Sequence, residues 1–294
     1  MSNDSNSVII TFIRHGESTD NVKSVWAGWK DAPLSNHGMN QARALGEFFA
    51  DTHFTAVHTS DLKRAFSTAQ ALYDKQGDPK PTFDSSELLR EQNFGVAEGK
   101  PWSYRFSRDI NLEEEMAKGV YPMLYHDHEK FPEGESTNEL AQRANRANTA
   151  LVLPHVWQAA KEGKTGIHVA VVSHGLCISQ MISELLKMSA KQDEGDYRGL
   201  LNTAWTRLVI DIEGAQEGQP VAVEKERPLL IMRVTDINRH SHIDNIIRQK
   251  GGIGNAAYDP KQKDIRAFFG GNTELLPDSD ISAHDKVTEE DMIE

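Results

Sequence analysis

The sequence predicts an α/β fold: a largely parallel central sheet with helices on both faces, a cap-like insertion and a C-terminal extension. Three observations carry this prediction. Short β-branched apolar runs alternate with stretches whose apolar residues recur at helical spacing, two of the runs end in His-Gly, and an aromatic-rich segment breaks the alternation. With 294 residues, 38 % of them hydrophobic, the chain can bury a substantial core.

In chain order, Val8 to Ile13 (VIITFI) reads as a buried strand. Ser35 is placed to cap a helix whose apolar positions are Met39, Ala42, Leu45 and Phe49, and Thr55 to Thr59 is expected to form the next strand. Asp61 is the expected cap of a following helix that runs through Leu72. Ser136 and Glu139 have the spacing of a capping box and open a helix to about Lys161, which Pro154 should kink or interrupt. His168 to Val172 reads as a second buried strand with a helix to about Met188, and Thr206 to Ile212 with Leu229 to Val234 can pair as a hairpin.

The expected organisation is a flexible N-terminus (1–7), a main domain (8–236) with a cap insertion (100–134), an extension (237–271) and an acidic tail (272–294) expected to be disordered. The insertion carries Trp102, Tyr104, Phe106, Tyr121 and Tyr125. The tail has eight acidic residues against one lysine, so it holds −7 of the formal net charge of −12 and leaves −5 for the rest. That balance argues against a nucleic-acid partner. No apolar run approaches the ~20 residues of a membrane-spanning helix, the first residues lack a signal-peptide pattern, and one cysteine cannot form an internal disulfide. The expected location is therefore cytoplasmic, with no membrane partner, and a homo-oligomer is compatible with the sequence.

His15 and His174 each follow an apolar run and precede a glycine. In parallel sheets the carboxyl ends of strands converge on the ligand crevice, so two histidines far apart in sequence can meet there. Arg14 and Arg64 offer planar guanidinium groups suited to phosphate oxygens. Four ordered segments, RHGESTDN (14–21), SDLKRAFSTA (60–69), LREQNFGVAEG (89–99) and SHG (173–175), together resemble the histidine phosphatase superfamily in its phosphoglycerate mutase-like branch. The resemblance covers roughly Val8 to Val234. It implies that His15 is a phosphorylated nucleophile, that Arg14, Asn21, Arg64 and His174 bind the transferring phosphoryl group, and that Glu91 is the proton donor.

The chemistry suits these residue types. A neutral imidazole can attack phosphorus, and arginines with a donating histidine can neutralise the equatorial oxygens in place of a metal. The expected activity is that of a phosphomonoesterase of the histidine acid type, acting on a small phosphorylated substrate without cofactor or metal. Phosphoglycerate mutase or sugar-bisphosphatase activity is the alternative, and a non-catalytic phosphate-binding regulator the second. Between Lys100 and Glu133 five basic residues face seven acidic ones, which does not suit a bisphosphorylated ligand. FPEGES (131–136) resembles phosphatases and fructose-2,6-bisphosphatase-like domains more than mutases, while Ala27 stands where mutases often have a hydroxyl residue. His126 and His128, and His240 and His242 with Asp244, lack a remote partner motif and read as loop residues rather than metal ligands. Cys177 reads as a small buried apolar residue, and Gly251 to Gly254 as a turn.

Overall fold

A computed structural model describes residues 7–191, 195–221 and 228–261. The acidic tail and most of the expected N-terminal arm lie outside them; Ser7, the last residue of that arm, is buried and donates a hydrogen bond to Asp211. The first elements are β1 (Val8–Arg14), α1 (Thr19–Lys23), α2 (Asn36–Phe48), β2 (Ala56–Ser60), α3 (Lys63–Asp74) and β3 (Thr82–Ser86). Residues 100–134 contribute β4 (Trp102–Phe106), α4 (Leu112–Ala117) and β5 (Tyr121–Met123). Then come α5 (Thr137–Ala147), α6 (Leu153–Glu162), β6 (His168–Ser173), α7 (Gly175–Leu186), β7 (Trp205–Ile212) and β8 (Leu230–Arg239). Contacts divide the chain after Tyr258; in the short described part of the second unit, Lys261 N–H donates to Asp259.

The main sheet has the order β3-β2-β6-β1-β7-β8. Strands β3, β2, β6 and β1 are mutually parallel, and β7 runs antiparallel to both β1 and β8. Alternation along the strands builds a core on each face. Val8, Ile10 and Phe12 of β1 with Val169 and Val171 of β6 pack under α5, α6 and α7. Ile13, Ala170 and Val172 point to the other face, against Leu45 of α2 and Ala65, Ala69 and Leu72 of α3. Strands β4 and β5 pair separately, over a cluster of Phe94, Ala97 and Phe131.

Ser35 caps α2, and Ser136 with Glu139 forms the expected capping box of α5. The helix from Ser136 is interrupted: α5 passes through a π turn (Asn148–Val152) into α6, whose first turn holds Pro154, where a missing N–H costs no helical bond. Asp61 does not cap α3. Its carboxylate is held by the Arg90 guanidinium, while Asp31 takes the Lys63 N–H at 2.7 Å at that helix start. Strand β3 escapes the sequence pattern because it is a polar, largely exposed edge (TFDSS) paired on one side only.

Several histidines are buried and held below their ordinary pKa. Burial lowers His168 to about 3, with Arg207 adding to the effect, and His58 to about 4, with His155 adding to it. Their Nε2 atoms contact Thr11 Oγ1 at 2.8 Å and His155 Nε2 at 2.9 Å. Because the folded pKa lies below the unfolded one, the unfolded chain takes up protons that the fold refuses as pH falls below about 6.5. Stability is therefore expected to fall between pH 6.5 and 5, each such histidine contributing up to about 1.4 kcal/mol per pH unit. Urea midpoints across this window test it. His168→Gln should remove about one proton from the dependence, and an unchanged slope would contradict the assignment.

Candidate active site

Adjacent strands β1 and β6 run parallel with Arg14 beside Ser173, so the residues after each strand leave the sheet together. The His15 N–H donates to Ser173 O at 3.0 Å, and the rings of His15 and His174 lie 4.9 Å apart. Both are buried, at 3 % and 0 % exposure. His15 Nδ1 sits 2.6 Å from Gly16 O, which can only accept, so the proton is on Nδ1 and the lone pair on Nε2. Burial keeps the His15 pKa well below its ordinary value, and the charges of Arg64 and Arg14 lower it further. The ring is thus neutral and nucleophilic at Nε2.

His174 follows the same logic from the next strand end. Its Nε2 lies 2.9 Å from Ser60 Oγ, at the end of β2. Ser60 Oγ also accepts from Leu62 N–H at 3.3 Å and keeps a second lone pair, so its hydroxyl donates to Nε2 or accepts from it according to the His174 tautomer. Burial first, then Arg64, His15 and Arg14, depress the His174 pKa. Arg64 is 1 % exposed at the start of α3 and donates to Gly28 O at 2.7 Å and Lys30 O at 3.1 Å. Arg14 donates to Leu200 O at 2.5 Å. Three groups have no partner: Arg14 Nε, Arg64 Nε and His174 Nδ1 are buried without a hydrogen bond. An unsatisfied buried donor costs about 1–3 kcal/mol, so the two guanidinium N–H groups, whose charges both act on His15, suit an anion, and His174 Nδ1 can join them in the tautomer that carries its proton there.

Glu91 stands at the start of α7, where Oε1 accepts from Gln92 N–H at 3.0 Å and Cys177 N–H at 3.1 Å, and Oε2 from Leu176 N–H at 3.3 Å. A Cβ at Gly175 would lie 3.8 Å from Arg14 Nε and 3.9 Å from Glu91 Oε2, so a side chain there would project between the arginine and the carboxylate. Gly16 has a different reason. Its added Cβ would meet Gly38 O at 2.5 Å, so this glycine admits the α2 backbone rather than a ligand. Asn21 is the N3 residue of the short helix α1, and its Oδ1 accepts from Ser18 N–H at 3.0 Å, which leaves its Nδ2 as the group able to donate to an anion.

Several supports carry no recognisable local signal. Buried Arg143 on α5 donates to Leu88 O, Arg90 O and Glu91 O and pairs with Glu135 at 2.7 Å, fixing the segment that carries Glu91. Trp29 Nε1 also donates to Glu91 O, at 2.7 Å. In sequence Arg143 looks like any helical arginine, and only its place opposite the 88–91 turn reveals its use. The two other motif glutamates are occupied: Glu98 accepts from the N–H groups of Trp29, Lys30 and Phe94, and Glu17 from Ser35 and Arg248.

A profile of the histidine phosphatase superfamily (branch 1) matches residues 10–218, which span both His-Gly turns, Arg64 and Glu91. The chain belongs to this superfamily. Among curated relatives of this histidine phosphatase superfamily member, a probable phosphoglycerate mutase of Yersinia pestis is 29 % identical over 182 residues, covering 62 % of this chain and 76 % of the relative. Among solved structures, a mycobacterial hydrolase superposes with a TM-score of 0.59 at 21 % identity, over 80 % of this chain and 100 % of that one. A mycobacterial glucosyl-3-phosphoglycerate phosphatase complexed with VO3 gives 0.56 at 22 % identity, over 79 % and 98 %. At such identities the structural likeness speaks for the fold. Among the described residues no helix is long and apolar enough to cross a membrane, and no group of three or more potential ligands could hold a metal ion.

Proposed function

We propose that the chain hydrolyses small phosphate monoesters in two steps through a phosphohistidine on His15. The observation that supports this most is the set of buried, unpartnered nitrogens, Arg14 Nε, Arg64 Nε and His174 Nδ1, beside an imidazole whose Nε2 carries the lone pair; in this reading His174 holds its proton on Nδ1. In the first step Nε2 attacks phosphorus, the ester P–O bond breaks, and Glu91 gives its proton to the departing oxygen. In the second, the Glu91 carboxylate takes a proton from water, whose oxygen displaces His15 and releases inorganic phosphate. Arg14, Asn21, Arg64 and His174 hold the equatorial oxygens, whose charge they stabilise in flight. The reading requires no metal or organic cofactor, and a cytoplasmic setting suits a chain with one buried cysteine.

Hydrolysis is favoured over mutase turnover because the cap offers little positive charge for a second phosphate. Arg105 and Lys118 both pair with Glu115, and Lys130 pairs with Glu139. Mutase activity is the second reading, motivated by the name of the Yersinia relative. Rapid alkaline quenching of the chelator-treated protein after exposure to a labelled aryl phosphate is expected to leave an acid-labile phosphoryl group on the peptide containing His15. A label on His174, or a requirement for added zinc or magnesium, would reject the mechanism. Transfer of label back to phosphoglycerate faster than to water would favour the mutase.

A further inference from the structure

The turn at residues 199–204 holds both members of the Arg14-His15 pair. Leu200 O accepts from Arg14 Nη1 at 2.5 Å, and Ala204 O from the Arg14 N–H at 3.0 Å. His15 O accepts twice, from Thr203 N–H at 3.2 Å and from Asn202 Nδ2 at 3.1 Å. The same Asn202 Nδ2 lies 3.4 Å from Asn21 Oδ1. One side-chain amide thus joins the backbone of the nucleophile to the side chain of a phosphate-binding candidate.

This turn is strained. Thr203 has φ of 57°, a left-handed conformation that a β-branched residue adopts rarely. Thr203 Oγ1 donates to Asn202 O at 2.7 Å, and His242 Nε2 lies 3.1 Å from Thr203 Oγ1. Asn238, itself left-handed at φ of 49°, accepts from Leu201 N–H at 2.9 Å and donates to Gly199 O at 3.3 Å. Asn238 and His242 lie beyond the residues matched by the family profile, which end at 218. The chain after β7 therefore braces the turn that holds the nucleophile.

We propose that Asn202 is a positioning residue for phosphoryl transfer, fixing His15 and Asn21 in one register, and that Asn238 and His242 clamp the strained turn which presents it. The proposal rests on the phosphohistidine reading. Without Asn202, His15 O keeps the Thr203 N–H, so the fold persists while the nucleophile and Asn21 lose their common tether. Small displacements of reacting groups cost rate steeply, on the order of 10²-fold for about 1 Å.

The test is the single-turnover rate of phosphohistidine formation from an aryl phosphate, measured beside Tm. Asn202→Ala, and Asn202→Asp with nearly the same volume but no donor, are expected to slow phosphorylation by roughly 10- to 100-fold with Tm close to that of the unaltered protein. Asn238→Ala should slow it less, and its effect should shrink in the Asn202→Ala background because both act through one turn. Wild-type rates in both Asn202 variants would overturn the proposal, as would losses that track Tm, or effects of Asn202 and Asn238 that multiply independently. If the unaltered protein forms no phosphohistidine, the parent reading fails and takes this one with it. A labelled wild type with unaffected variants rejects only the role of Asn202.

Discussion

Glu91→Gln is expected to lose on the order of 10²–10⁴ in kcat/KM on alkyl phosphates while retaining far more of its activity on activated aryl phosphates. An alkoxide is a poor leaving group, so its oxygen must be protonated as the P–O bond breaks. A nitrophenolate leaves unaided, so the first step on an aryl ester should be little changed, and phosphohistidine should accumulate if Glu91 also activates water. The geometry makes the substitution informative. The carboxylate accepts from Gln92 and Cys177 N–H on Oε1 and from Leu176 N–H on Oε2, and its backbone carbonyl is held by Trp29 and Arg143, so the oxygen of the substituted amide can keep the first two bonds while its nitrogen loses the third. The ratio of variant to wild-type kcat/KM on the two substrate classes, with folding verified by circular dichroism, decides the matter. Equal losses on both would reject Glu91 as the leaving-group acid. Glu17 and Glu98 would then be the nearest motif carboxylates, although each is already bound, by Arg248 and Ser35 in one case and by three backbone N–H groups in the other.

His15→Ala is expected to depress kcat/KM by about 10⁴-fold or more on alkyl and aryl esters alike, because in the proposed mechanism it removes the atom that attacks phosphorus whatever the leaving group. The Arg14, Arg64 and His174 donors remain, so inorganic phosphate should still bind. That combination, preserved anion binding with lost turnover, separates a missing nucleophile from a collapsed site. Free imidazole should restore part of the aryl phosphatase activity by entering the space the ring leaves. Turnover within tenfold of wild type would show that water attacks phosphorus directly, and unaltered phosphate affinity with no turnover in the unaltered protein would instead support a non-catalytic binding role.

The local chemistry of this chain was legible where a pattern needs only neighbours in sequence. Ser35 and the Ser136–Glu139 box marked helix starts because a cap and its N–H partner are three residues apart. The continuous apolar runs VIITFI and HVAVV marked strands buried on both faces, and the motifs around His15, Arg64, Glu91 and His174 carried the family resemblance. Partner choice between distant elements was not legible. Asp61 had the right type and place to cap α3, yet an arginine 29 residues away competes for its carboxylate, and a carboxylate prefers a forked guanidinium to a single backbone N–H. Strand β3 has no apolar face to betray it, since an edge strand needs pairing on one side only. What the sequence by itself determined is the set of chemical groups, each at the end of its own strand or helix. Only the tertiary structure decided that β1 and β6 are adjacent, which brings His15 to His174 across nearly 160 residues, and that Arg143, Trp29 and Asn202 support them. The physical reason is range: capping and apolar runs are settled within a few residues, whereas the pairing of strands and the satisfaction of buried donors depend on which surfaces fold against each other.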